Sequence, residues 1–209
     1  MQTKLKPKDS KESMDRIFVI GRDEVPQKIV LGAGESLKAT FVALPGADAD
    51  LALTVELTGE GAELDAAGLF VCRADEHVSI RMNVRHLVGG CKSNQLFRGV
   101  ADGRSNVSFN GLIYVQQDAQ KTEAYQSCNT LLLNEGARVQ TDPQLEIYAD
   151  DVICSHGAAI GYLSADELFY MRSRGIPEEE ARRLQILSFL SPVLNRLPEE
   201  KLFRDSLGF

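Results

Sequence analysis

The chain has 209 residues, 44% hydrophobic and 25% charged, with 30 acidic against 23 basic side chains and a formal net charge of −7. That length favours one domain with one sizeable core. The negative balance, with no basic stripe and no interleaved aromatics, excludes a surface that tracks nucleic-acid phosphates. No apolar run approaches the roughly 20 residues a bilayer-spanning helix needs, so neither nucleic acid nor membrane is an expected partner.

The opening MQTKLKPKDSKESM carries lysines with no apolar segment behind them. It predicts a flexible polar tail over residues 1–15 and no secretory signal, hence a cytoplasmic location. In that reducing compartment Cys72, Cys91, Cys128 and Cys154 stay as thiols. They contain no CxxC pair, so neither a zinc ribbon nor a thioredoxin-like motif is expected.

From Ile17 to about Asp151 the chain reads as short strands separated by Gly, Asn and Asp: IFVI, QKIVL, LKATFVAL, ADLALTVEL, ELDAAGLFVC, HVSIRMNVRHLV, NQLFRGVAD, NVSFNGLIYV, YQSCNTLLL and QLEIYADDVIC. Alternation is clearest in HVSIRMNVRHLV. There Val78, Ile80, Met82, Val84 and His86 share one face, and Ser79, Arg81, Asn83 and Arg85 the other. A sandwich, a barrel and a β-solenoid all produce this texture. Turn segments that recur without a strict motif, and the lack of a clear two-residue hairpin loop beyond Asn110-Gly111, lean toward the solenoid.

Beyond the strands the pattern changes to helical. Ser164 and Glu167 fit a capping box, so a helix is expected to start there, run through Leu168 to Met171 and stop at Gly175. Pro177 with Glu178, Glu179 and Glu180 marks a second helix start. Its apolar stripe is Ala181, Leu184, Leu187, Phe189 and Leu190, and Pro192 is expected to bend or end it. A last short helix is expected over residues 198–206.

The segment from Val84 to Leu184 resembles the SufB/SufD family of iron–sulfur cluster assembly scaffold proteins. The likeness rests on FNGLIYVQQDAQKTEAYQ, PQLEIYADDVICSHGAAIG and FYMRSRGIPEEEA, which occur in the family's order. It implies an all-β core, a right-handed parallel β-helix over residues 16–162, followed by a small C-terminal helical region over residues 163–209. It further implies a noncatalytic scaffold subunit of SUF-type assembly that handles a transient iron–sulfur cluster or iron. The implied partners are a SufC-like ATPase and a SufB-like subunit or a second identical copy. Two features depart from the family pattern. The helical region that precedes the β-helix in full-length members is replaced by the short polar tail, and Cys128 stands where SufD-type chains usually lack a thiol and SufB-type chains carry one.

Cys154 and His156 lie two residues apart, so on a strand they share one face and offer thiolate and imidazole, ligands that iron accepts. Two ligands do not hold a cluster, which points to completion of the site by a second subunit. The resemblance places the family's functional histidine at His156, and Cys128 adds a third candidate ligand. The alternatives are that Cys154 and Cys128 are core filler and His156 a hydrogen-bonding rim residue. For docking of the ATPase, the resemblance implies Phe169, Met171, Arg172, Arg174 and Gly175. His77 and His86 fall on opposite faces and read as structural; Gly32-Ala33-Gly34 and Gly59-Glu60-Gly61 complete no phosphate loop. Asp150 and Asp151 are adjacent, so they point apart and do not make a carboxylate pair. A β-helix enzyme acting on carbohydrate, or on a metal at His156, is the rival reading, although the chain has no Trp and only five Tyr. An interaction module without cluster chemistry is the third.

Overall fold

The computed structural model describes residues 13–198 and 200–209. The expected polar tail therefore lies outside the described residues up to residue 12, and its last three positions, 13–15, belong to the first strand. Strands β1 (Ser13–Val19), β3 (Ser36–Ala43), β5 (Glu63–Cys72), β7 (Lys92–Ala101), β9 (Glu123–Leu132) and β11 (Ile153–Tyr162) form one sheet in that order. The interleaved β2 (Lys28–Leu31), β4 (Ala49–Leu57), β6 (His77–His86), β8 (Asn106–Val115) and β10 (Arg138–Ile147) form the other. Every pairing is parallel, and Glu63, Lys92, Glu123 and Ile153 stack in register. Parallel neighbours need a crossover between them. Here each crossover is the intervening strand of the opposite sheet, so the chain coils as a parallel β-helix, which resolves the three-way choice that alternation left open.

The alternation in β6 is realised as read, with Val78, Ile80, Met82, Val84 and His86 buried and His77, Arg81 and Asn83 exposed. Facing them across the core, β5 and β7 turn Leu64, Ala66, Phe70, Phe97 and Ala101 inward. His86 accommodates its polar ring by a 2.9 Å hydrogen bond with Ser93. Burial pushes its imidazole down to about 4, so it is neutral at physiological pH.

Phenylalanine and glycine alternate between neighbouring coils: Gly68 lies beside Phe97, and Phe70 beside Gly99. A Cβ on Gly99 would overlap the Phe70 ring, and one on Gly68 the Phe97 ring. Both rings are fully buried and have nowhere to swing. Gly99→Ala is therefore expected to destabilise the chain by about 1–3 kcal/mol through overpacking, seen as a lower urea midpoint with an unchanged slope.

QLEIYADDVIC is not one strand. It divides into the end of β10 and the start of β11, because residues 148–152 turn the chain from one sheet to the other. Pro143 sits in β10, which among the described residues is paired on one side only, with β8. An edge strand tolerates the missing N–H.

The outer face of the odd-numbered sheet is also covered. Helices α1 (Ala165–Ser173), α2 (Glu178–Leu194) and α3 (Glu200–Ser206) follow the last strand. Ile186, Leu187, Leu190, Val193 and Leu194 of α2 pack with Val42, Ala67, Leu69, Val71 and Val100. The buried stripe differs from the expected one at Leu184, which is 40% exposed. Arg196 fastens the junction, donating to the Asp65 carboxylate at 2.9 Å and its carbonyl at 3.0 Å. Ser164 accepts from the Glu167 N–H as a cap, but its own N–H goes to Gln185 Oε1 at 3.1 Å rather than to Glu167. Gln185 donates in return to the Ser164 carbonyl, so half of the expected capping box is replaced by a clamp between helices. Gly175, at φ +88°, follows the C-terminal end of α1 as expected. Pro192 neither ends α2 nor leaves a group stranded: the Ser188 carbonyl, deprived of its usual N–H, accepts from the Ser191 hydroxyl at 2.7 Å. None of the described helices is long and apolar enough to cross a membrane.

Candidate functional site

The β-helix ends on β10 and β11, and among the described residues these pair only with β8 and β9. Register carries the interior rows of earlier coils up to this end. Leu64, Ser93, Ala124 and Cys154 make one row; Ala66, Gln95, Gln126 and His156 the next; Gly68, Phe97, Cys128 and Ala158 a third. In β9 the alternate residues Ala124, Gln126, Cys128 and Thr130 are buried. Their partners in β11 hold the same phase of the pleat but have no further coil above them. Cys154 is thus half-buried, packed with Ile113, Val115, Ala119 and Ala124, whereas His156 is exposed. The expectation that the two share a face is realised, since β11 runs unbroken through both.

Cys128 is not brought together with them. It is fully buried one coil inward, beneath Ala158 rather than His156. Burial pushes its thiol up to about 12, so it is protonated at neutral pH. Burial also raises Cys154, opposed by a backbone hydrogen bond at Ala124. Among the described residues no group of three or more His, Cys, Asp or Glu side chains is gathered to hold a metal ion.

Two neighbours of the site escaped sequence reading. Gln95 and Gln126 are buried in the His156 row and joined by a 2.8 Å hydrogen bond from Gln126 Nε2 to Gln95 Oε1. Their signal was available, as amides in the inward phase of strands whose other inward positions include Phe97 and Cys128. The second is a belt of exposed apolar side chains on the last coil, Ile147, Tyr148, Ile153, Ile160 and Tyr162.

Of the residues expected to meet a partner, Phe169 is 75% exposed on α1, a helix with no buried residue. Arg172, Arg174 and Gly175 are exposed at its end, and Arg172 pairs with Glu178 at 3.2 Å. Met171 is half-buried and lines a groove of about 570 Å³ with Leu131, Tyr162, Leu184 and Phe189.

Residues 25–189 match the family described as SUF system FeS cluster assembly, SufBD core domain. The chain belongs to that family. It is 39% identical over 155 residues to the iron–sulfur cluster assembly protein SufD of Escherichia coli (strain K12), covering 74% of this chain and 37% of the relative. The SufD of Bacillus subtilis (strain 168) is 36% identical over 147 residues, 70% of this chain and 34% of the relative. A SufBD family protein of Mycobacterium leprae (strain TN) is 30% identical over 176 residues, 80% of this chain and 45% of the relative. The chain thus spans less than half the length of these SufBD relatives. The match to the SufBD core ends within α2, so it takes in the terminal coil with Cys154 and His156, all of α1 and the groove between α1 and α2.

Proposed function

We propose that the chain is a noncatalytic scaffold component of SUF-type iron–sulfur cluster assembly that presents His156 and Cys154 at the open end of its β-helix to an iron or cluster cargo. The observation that carries this reading is the terminal coil itself, which holds an exposed imidazole and a half-buried thiol on one face of its last strand and, among the described residues, leaves both strand edges unpaired. Imidazole and thiolate suit iron, and two of them leave coordination to be completed from elsewhere. A second chain, SufB-like or identical, abuts residues 144–161 and supplies the remainder. The apolar belt and unpaired edges of that end are what such a partner covers. In the identical case a two-fold axis sets the segment against itself. Cys128 joins the cargo site only when the last coil opens, because folded it is sealed and protonated. The exposed helix α1 and the turn at Arg172, Arg174 and Gly175 receive a SufC-like ATPase, in the cytoplasm.

The test of the open end is association. The chain is expected to sediment as a dimer, or to be recovered from its own cell extract with a SufB-like subunit and with iron and sulfide. Ile160→Arg, which sets a charge on the exposed end of the interior row, is expected to weaken that association at least tenfold, about 1.4 kcal/mol. A strict monomer at high concentration with no such subunit recovered defeats the reading.

A further inference from the structure

The row beneath His156 is built in an unusual way. After the exposed Arg16 on the first strand it is small and apolar at Ala39 and Ala66, and it turns polar for its last three coils, Gln95, Gln126 and His156. Gln95 is 0% and Gln126 3% exposed, yet between them they form one hydrogen bond and leave two atoms without a partner, Gln95 Nε2 and Gln126 Oε1. A buried acceptor without a donor costs about 1–3 kcal/mol. Room is nevertheless kept for this amide: across the core Gly111 faces it, and a Cβ there would overlap the Gln126 carboxamide. The space opposite Gln126 is thus matched to a glutamine, while one of its polar atoms stays unmatched. Its register partner toward the open end is His156, whose imidazole makes none of the side-chain hydrogen bonds among the described residues. Neighbouring parallel strands lie about 4.8 Å apart, so an imidazole above the amide reaches its oxygen by side-chain rotation alone.

We propose that Gln126 is a positioning residue for His156: its buried Oε1 accepts the N–H of one imidazole nitrogen, which fixes the neutral tautomer and turns the other nitrogen, as a lone-pair donor, toward the open end. Gln95 holds Gln126 in place from the coil below by accepting from its Nε2. Histidines that ligate metals are oriented in this manner by an acceptor on their second nitrogen. The inference rests on the reading of His156 as the residue that meets cargo, and it adds what prepares the ring for that role.

Nitrogen-15 NMR of the His156 ring in the full 209-residue chain tests it. At a pH where the ring is neutral, the wild-type chain is expected to show one tautomer. Gln126→Leu, and the doubly apolar Gln95→Leu/Gln126→Leu that leaves no orphaned amide should the single variant fold poorly, are expected to show the mixed tautomers of a solvated imidazole. Gln126→Glu keeps an acceptor and is expected to restore the single form. Mixed tautomers in the wild-type chain, or nitrogen shifts unchanged by Gln126→Leu, overturn the proposal. The cargo reading fails separately: if His156→Ala leaves cluster assembly intact while the tautomer still responds to Gln126, the contact stands and its link to cargo does not.

Discussion

Replacing His156 by alanine is expected to leave the fold unchanged and to reduce cluster assembly to background. The first half follows from packing. His156 is exposed on the last coil and belongs to none of the buried clusters, and substitutions at such positions usually move stability by no more than about 0.5 kcal/mol. The second half follows from ligand arithmetic, since a site that already needs ligands from a partner does not hold a cluster after losing its exposed imidazole. Complementation of a strain lacking the native chain reads function, and a thermal melt of the purified variant reads fold. A variant that unfolds assigns His156 to the structure; a folded variant with full assembly removes it from the site. The same substitution at His86 is expected to behave oppositely, because that imidazole is buried against Ser93 and carries core volume.

Phe169→Ala combined with Tyr170→Ala is expected to weaken binding of the SufC-like ATPase by about thirtyfold or more, roughly 2 kcal/mol, the loss typical of an aromatic hot spot. Phe169 is 75% and Tyr170 59% exposed on a helix with no fully buried residue. The Arg174 guanidinium lies 5.4 Å from the centre of the Tyr170 ring. Neither ring supports the fold, so their loss reads as binding alone. Point changes are the right instrument here. Deleting residues 164–209 would strip α2 from the sheet and bare Val42, Leu69, Val71 and Val100, confusing lost contact with lost stability. Titration calorimetry with the cognate ATPase decides it, and unchanged affinity in the double variant places the docking surface elsewhere.

Much of this architecture is local and was therefore legible. The side-chain period of two put His86 on the core face of β6, and a cap at Ser164 with a left-handed Gly175 marked the limits of α1. Local rules erred where distant groups intervened. Gln185, 21 residues along the chain, took the Ser164 N–H that Glu167 was expected to accept, and the sheet beneath α2 selected its buried stripe, leaving Leu184 outside.

The candidate site divides along the same line. That Cys154 and His156 share a face depends only on their spacing and an unbroken strand, both properties of a few consecutive residues. That they sit on the last coil, that Ala158 and not His156 covers Cys128, and that two glutamines rise beneath the histidine are matters of register between strands about thirty positions apart. Sequence period gives the direction of a side chain but not what lies above it. Cys128 and His156 occupy the same phase of neighbouring strands, and one is a sealed, protonated thiol while the other meets solvent. The difference is one further coil of β-sheet, present over the first and absent over the second.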